Sequence, residues 1–378
     1  MTLLDLPSNR AEGWRWSDLS ALPALAGGAR TQQTYGDFRD FPWLECAVEG
    51  PRLLFVDGEL DASRSRLGAV ETGKLDVKES DHPLARHVVG NGWRLRLGQD
   101  HAPAGLVQII HVSSGGADHV PAEIDLDLDA QASVVETYIG EGWTNRLTRI
   151  RLARGARLML SRRLVGTSGL STPPAASLRT GYVSLTDRAT IGEGASLVAT
   201  TLAAGGSDTR LDGRVVLAGR AAFAEVGGAL LARGKQRHDA NLVLRHEQPS
   251  GMSRQVWRSV ADDQSICSVA ARVEVARAAQ KTDGEQSLKG LLLARGATIN
   301  AKPELEIFAD DVKCAHGATV GELSRDALFY LASRGLPLSE AKALLTQAFV
   351  ADAIDRIGEE VVREAFHADA LNWLGGAR

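Results

Sequence analysis

The polar run Pro303-Glu304-Leu305-Glu306-Ile307-Phe308-Ala309-Asp310-Asp311-Val312-Lys313-Cys314-Ala315-His316-Gly317 holds the side chains best suited to chemistry. If Lys313 to Gly317 is extended, Cys314 and His316 point to one face, because side chains alternate along a strand. A thiolate and an imidazole side by side form a soft, partial metal site suited to iron or zinc. Two ligands are not four. The others would come from Asp310, Asp311, solvent or another chain. The plainer alternative is a buried cysteine beside a hydrogen-bonded histidine. Cys46 and Cys267 have no ligand-type neighbours in sequence and read as small core residues. His238 and His246 are evenly spaced, could share a strand face, and read as structural polar residues.

Familiar catalytic signatures fail one by one. Gly68-Ala69-Val70-Glu71-Thr72-Gly73-Lys74 matches most of a phosphate loop, but Leu75 stands where Mg²⁺ needs a hydroxyl. His246-Glu247 opens like a zinc-protease helix, yet Pro249-Ser250 follow and no second histidine arrives at i+4. Gly166-Thr167-Ser168-Gly169 lacks the spacing of a nucleophile elbow.

The elements that must position Cys314 and His316 are mostly strands. From about Trp93 to Leu323, short alternating apolar stretches are separated by Gly, Asp, Asn and Ser, with little helical periodicity. One phrase recurs, as Gly155-Ala156-Arg157-Leu158, Gly194-Ala195-Ser196-Leu197, Gly296-Ala297-Thr298-Ile299 and Gly317-Ala318-Thr319-Val320, with a looser copy at Gly219 to Phe223. Such repetition predicts a solenoid of roughly 20–25 residues per coil. The absence of a six-residue rhythm favours a right-handed, irregular, parallel one. Its crowded interior suits Ala, Val and Leu, with glycine at corners where φ is positive.

The three regions are then 1–90, 91–323 and 324–378. In the first, mixed region Ser17-Asp18 with Leu19, Leu22 and Leu25 starts a short helix. Phe38, Phe41 and Trp43 concentrate rings there, and Arg52 to Gly58 reads as a strand closed by an Asp-Gly turn. In the helical last region Ser324 caps one helix, Gly335-Leu336-Pro337 stops it, and Ser339 caps a second carrying Leu344, Leu345, Ala348 and Phe349. Ile354, Ile357, Val361 and Val362 extend the stripe, with Glu359 and Arg363 as an i,i+4 pair. These helices either cap the solenoid or present a groove to a partner.

Composition narrows the function. The 378 residues carry 43 Lys+Arg against 47 Asp+Glu, a net −4, which offers no general attraction to nucleic acid or anionic membranes. No window approaches a membrane span, no signal peptide is legible at the start, and three scattered cysteines fit a reducing compartment. The expectation is a cytoplasmic protein. A secreted carbohydrate-active β-helix enzyme, with Glu306, Asp310 and Asp311 as acids, is the remote alternative; it fits poorly with 5% aromatics.

Lys281-Thr282-Asp283-Gly284, Lys302-Pro303-Glu304-Leu305-Glu306-Ile307 and the run from Ala309 to Gly321 resemble the SufB/SufD family of iron–sulfur cluster assembly. So do Leu328-Phe329-Tyr330-Leu331, Ser333-Arg334-Gly335 and the opening phrase Glu12-Gly13-Trp14-Arg15-Trp16-Ser17-Asp18-Leu19. Length and the Lys-Cys-x-His-Gly form place it nearer the SufD branch than a SufB-like primary scaffold. The resemblance implies a right-handed parallel β-helix between an N-terminal helical region and a C-terminal helical domain. It also implies a non-catalytic subunit acting with SufB and the ATPase SufC, the C-terminal helices docking SufC. His316 would sit at the SufB interface as a ligand for iron or a cluster, with Cys314 nearby in a less settled role. No cofactor is expected to stay on the isolated chain; iron or a cluster would visit the complex. A homodimer through the same edge is expected when SufB is absent.

Overall fold

The computed structural model describes residues 4–30, 41–165 and 181–375. Among them the first strands are β1 (Arg52–Val56), β2 (Glu59–Leu60), β3 (Val70–Leu75), β4 (Gly90–Leu97), β5 (Val107–Leu126) and β6 (Gln131–Leu152). The middle coils contain β7 (Arg157–Leu164), β8 (Gly181–Ile191), β9 (Ser196–Ala203), β10 (Asp208–Leu217), β11 (Phe223–Ala232) and β12 (Arg237–His246). The last are β13 (Met252–Ala261), β14 (Ile266–Val275), β15 (Thr282–Leu292), β16 (Thr298–Ile307) and β17 (Val312–Glu322). Four helices accompany them: α1 (Leu22–Ala26), α2 (Arg325–Ser333), α3 (Leu338–Ile354) and α4 (Glu360–Gly375).

The strands stack as a parallel solenoid with two ladders. One ladder runs through β7, β9, β11, β13, β15 and β17, the other through β8, β10, β12, β14 and β16. The long strands β5 and β6 contribute to both, bending between Ser114 and Ala117 in β5. Inward columns hold small and branched apolar residues, as in Leu158–Leu197–Ala224 and Leu185–Leu211–Ala240–Val269. Ala-rich columns let successive coils approach at ladder spacing, about 4.8 Å.

The coil is longer than the repeat phrase implies. Stacked partners are 26 residues apart at Asp118 and Thr144, 29 at Thr209 and His238, and 32 at Ser268 and Asn300. The reason lies at the corners. Asp100, Asp129, Gly155, Gly194, Ala221, Ser250 and Lys281 form one column, all with φ between 55° and 71°. From Asp129 onward each donates its backbone N–H to the following coil, for example Gly155 to Glu193, Gly194 to Arg220 and Ser250 to Gln280. Only two of the seven are glycine, so a glycine count sees a fragment of the period. Gly296 belongs to the opposite ladder, and Gly317 lies within β17 rather than at a corner.

The two ends of the solenoid differ. The early end is closed by antiparallel pairs, β1 with β2 and β3 with β4. β3 contains Val70 to Lys74 of the apparent phosphate loop and Gly68-Ala69 form the turn before it, so the stretch is a turn and a strand and not a cradle before a helix. At the late end β16 pairs with β14 and β17 with β15, and each is left with one unpaired edge.

The C-terminal helices do not close that end. They lie along the flank, where Val350, Ile354, Val362 and Phe366 bury against Leu202, Ala229, Leu231 and Val260. Ser324 caps α2 by accepting the Ala327 N–H, as its position predicts. Ser339 is not a cap, since α3 begins at Leu338 after Pro337. The buried face of α3 is Ala341, Thr346, Val350, Ala353 and Ile354; Leu344 is exposed and Leu345 and Phe349 are half-buried. Glu359 receives Ser133 instead of Arg363, whose guanidinium donates to the Ile357 carbonyl. At the N-terminus α1 starts at Leu22, later than the Ser17-Asp18 signal, and Leu22 packs with Leu19, Leu84 and Trp143. The Asp57-Gly58 turn forms as read, and Phe41 and Trp43 pack with Leu54 and Ile110. Phe38 and the Gly166–Gly169 stretch fall outside the described residues. Among the described residues no helix is long and apolar enough to cross a membrane.

Candidate functional site

β17 is a strand throughout, so Val312, Cys314, His316, Ala318 and Val320 share its inward side, as their register partners on β15 show. Those partners, Thr282, Gly284, Gln286, Leu288 and Gly290, are all buried. The next coil would cover β17, and there is none. His316 is exposed, Val320 is 44% exposed, and across the end Ile307 and Phe308 of β16 and its turn are 37% and 58% exposed. Apolar side chains in an inward column without a covering layer mark an unfinished stack.

Cys314 and His316 are thus brought to one face at the open end. Cys314 packs on the last layer of the core above Gly284, where an added Cβ would lie 3.4 Å from its sulfur. Burial raises its thiol pKa, so it resists ionisation in the isolated chain. His316 projects from the open end with its ring exposed. Asp310 and Asp311 do not reach them. They lie at the turn before β17, and the extended strand puts Asp311 about 16 Å from His316, too far to orient its ring. Among the described residues no three or more His, Cys, Asp and Glu side chains are arranged to hold a metal ion. Cys314 and His316 are two donor-type side chains, fewer than a closed metal site needs.

The remaining candidates are structural. Cys267 is fully buried, donates weakly to the Leu230 and Val260 carbonyls, and burial pushes its thiol up. Cys46 is half-buried beside the Leu44 carbonyl, and its thiol is raised by burial too. His238 is buried between Thr209 Oγ1 at 3.0 Å and the Leu231 carbonyl at 3.1 Å. His246 is buried against Ser253 Oγ at 2.8 Å.

The edge on β16 is shaped by Lys302-Pro303-Glu304. Thr298 donates to the Ser265 carbonyl just before β14 and Phe308 to the Val275 carbonyl at its end, so even-numbered residues of β16 bond inward along the ladder and odd-numbered ones face the free edge. Pro303 is odd-numbered and removes a donor from that edge, a position where proline is tolerated. Lys302 Nζ bonds Glu12 Oε1 at 2.6 Å and Glu304 Oε1 at 3.0 Å. The opening phrase is thereby tied to the terminal coil.

Sequence reasoning missed what α2 presents. It buries none of its residues, and Phe329 and Tyr330 are 77% and 57% exposed. Leu338 and Leu344 of α3 are exposed as well. A cleft of about 790 Å³ separates these helices from the last coils, lined by Leu293, Leu323, Leu328 and Trp373. Two adjacent rings in a short helix otherwise made of half-buried and polar positions were the available signal.

These features define a parallel β-solenoid protein with one closed end, one open end bearing imidazole and thiol, and a helical flank with exposed apolar side chains. The chain belongs to the SufBD family of the SUF iron–sulfur cluster system: residues 111–349 match the family model described as SUF system FeS cluster assembly, SufBD core domain. It is 25% identical to the iron–sulfur cluster assembly protein SufD of Escherichia coli strain K12, across 99% of this chain and 90% of that one. It is also 40% identical to a SufBD family protein of Synechocystis, and 38% identical to the chloroplastic protein ABCI7 of Arabidopsis thaliana, each over 33% of this chain. The end-to-end match places the chain on the SufD side of the family, with a role in iron–sulfur cluster assembly.

Proposed function

We propose that this chain is a scaffold subunit without turnover of its own, acting with a SufB-type chain and a SufC-type ATPase. The observation that carries the reading is the asymmetry of the solenoid, closed at its early end and open where Cys314 and His316 stand. A SufB-type solenoid covers β16 and β17 and supplies the thiolates that this chain lacks. His316 contributes an imidazole to the iron or cluster being assembled, which is cargo and not a resident cofactor; Cys314 is the second donor. Iron accepts mixed sulfur and nitrogen ligation, and a neutral imidazole binds without losing a proton first. When the partner is missing, two copies pair through the same edge. The work is expected in the cytoplasm.

The ATPase docks on α2 and the exposed side of α3. Deleting the helices would strip the flank that Val350, Phe366 and their neighbours cover, so substitution is the cleaner test. The double variant Phe329→Glu with Leu344→Glu changes two exposed side chains and should leave the unfolding midpoint of the chain unaltered. Co-purification of the ATPase with the variant should fall at least tenfold. Undiminished capture would place the docking surface elsewhere.

A further inference from the structure

The interior column beneath His316 is polar for two rungs and apolar below them. His316 stands over Gln286, Gln286 over Gln255, and Gln255 over Val226. Both glutamines are buried, at 2% and 0% exposure. Gln286 Nε2 donates to the Ala271 carbonyl at 2.9 Å, and Gln255 Nε2 to the Arg272 carbonyl at 3.1 Å. A carbonyl can only accept, so these bonds fix which end of each amide is nitrogen. Both Oε1 atoms are left buried with no partner. In the adjacent inward columns the rung directly beneath β17 is apolar or bare: Cys314 stands over Gly284 and Ala318 over Leu288.

An apolar side chain would fill the Gln286 position without stranding an acceptor, which is expensive inside a protein. The rung above lies at ladder spacing, about 4.8 Å away, and its side chain is the exposed imidazole of His316, free to rotate. We infer that Gln286 is a positioning residue for His316. Its Oε1 accepts the N–H of one ring nitrogen. A neutral imidazole has one N–H and one lone pair, so the other nitrogen is held as the acceptor and turned out of the open end. Metal-binding histidines commonly receive such an orienting bond on their second nitrogen. The inference deepens the reading of His316 as a ligand and rests on it for its purpose, though not for its geometry.

The test uses the full chain with ¹⁵N-labelled histidine, the His316 signal being assigned by its loss in His316→Ala. Ring nitrogen shifts report the tautomer directly. In the wild type one tautomer should dominate. Gln286→Met removes the acceptor at similar size and should shift the tautomer ratio of His316 about three- to tenfold toward that of a free imidazole. Gln286→Glu keeps an acceptor and should restore the bias. Gln255→Met, one rung deeper, should leave His316 unchanged while disturbing the core equally. A ratio unaltered by Gln286→Met overturns the inference, as does an equal shift in Gln255→Met. A tautomer shift with Gln286→Met, together with unchanged iron content of the complex on His316→Ala, would support the positioning bond and overturn the ligand reading instead.

Discussion

Replacing Arg210 by Met should destabilise the chain by about 3–5 kcal/mol, the usual cost of removing one partner from a buried charge cluster. Arg210 of β10 is 2% exposed. Its guanidinium bonds both Asp212 oxygens at 2.7 Å and Asp239 at 2.5 Å. It also reaches the Gly13 carbonyl at 2.7 Å and Ser17 Oγ at 2.9 Å, and stacks 4.3 Å over the Trp14 ring. Burial raises both carboxyls; the guanidinium outweighs this for Asp212, held well below its ordinary range, while Asp239 stays raised. Without Arg210 two acids remain buried together, and the segment from Gly13 to Ser17 loses its anchor. Lysine cannot substitute, because one ammonium does not span four acceptors in a plane. Urea unfolding should show the loss, and limited proteolysis should show faster cleavage within residues 4–30. A loss below about 1 kcal/mol would mean that the cluster is not what fastens the opening phrase to the solenoid.

Acid should unfold the chain steeply from about pH 6.5 downward. Burial holds His111, His119, His238 and His246 at about 4, against 6.5 when unfolded. For His111 the nearby Arg146 adds to burial, and Glu136 opposes it at 3.4 Å. Each ring is neutral in the folded chain and takes up a proton on unfolding between pH 6.5 and 4. Stability is therefore whole above 6.5, falls across that window, and has lost the histidine contribution at pH 4. Four protons near pH 5 correspond to a slope of up to about 5 kcal/mol per pH unit. Below that, burial pushes Glu136 up but Arg162 and His111 outweigh it and hold it at about 2, so its contribution fades from about pH 4.5. Urea midpoints measured between pH 7 and 4.5 check this. A flat series would show that the buried rings already carry protons in the fold.

The sequence made the solenoid legible because its strands alternate and its corners contain glycine, yet it misreported the coil length. Left-handed backbone at Ala221, Ser250 and Lys281 is imposed by stacking on coils either side, and no local propensity announces it. The pairing of Cys314 with His316 followed from strand alternation alone. Their position at an open end did not, because openness depends on where the C-terminal helices pack; α3 turns Ala341 and Thr346 inward and leaves Leu344 and Ala348 of the apolar stripe exposed. The acids at 310 and 311 were misjudged by treating nearness in sequence as nearness in an extended chain. Gln286 and Gln255 passed unremarked because a column is visible only once the register is known.

The proposed role of the open end is to contribute a ligand to a shared assembly site. It is tested most directly by co-expressing the chain with its SufB-type and SufC-type partners, purifying the complex anaerobically, and assaying iron and sulfide in wild type and His316→Ala. Wild type and His316→Ala should both give an intact three-component complex, with iron and sulfide reduced at least fivefold by the substitution. Wild-type iron and sulfide in an intact His316→Ala complex would contradict it and leave His316 as an interface residue.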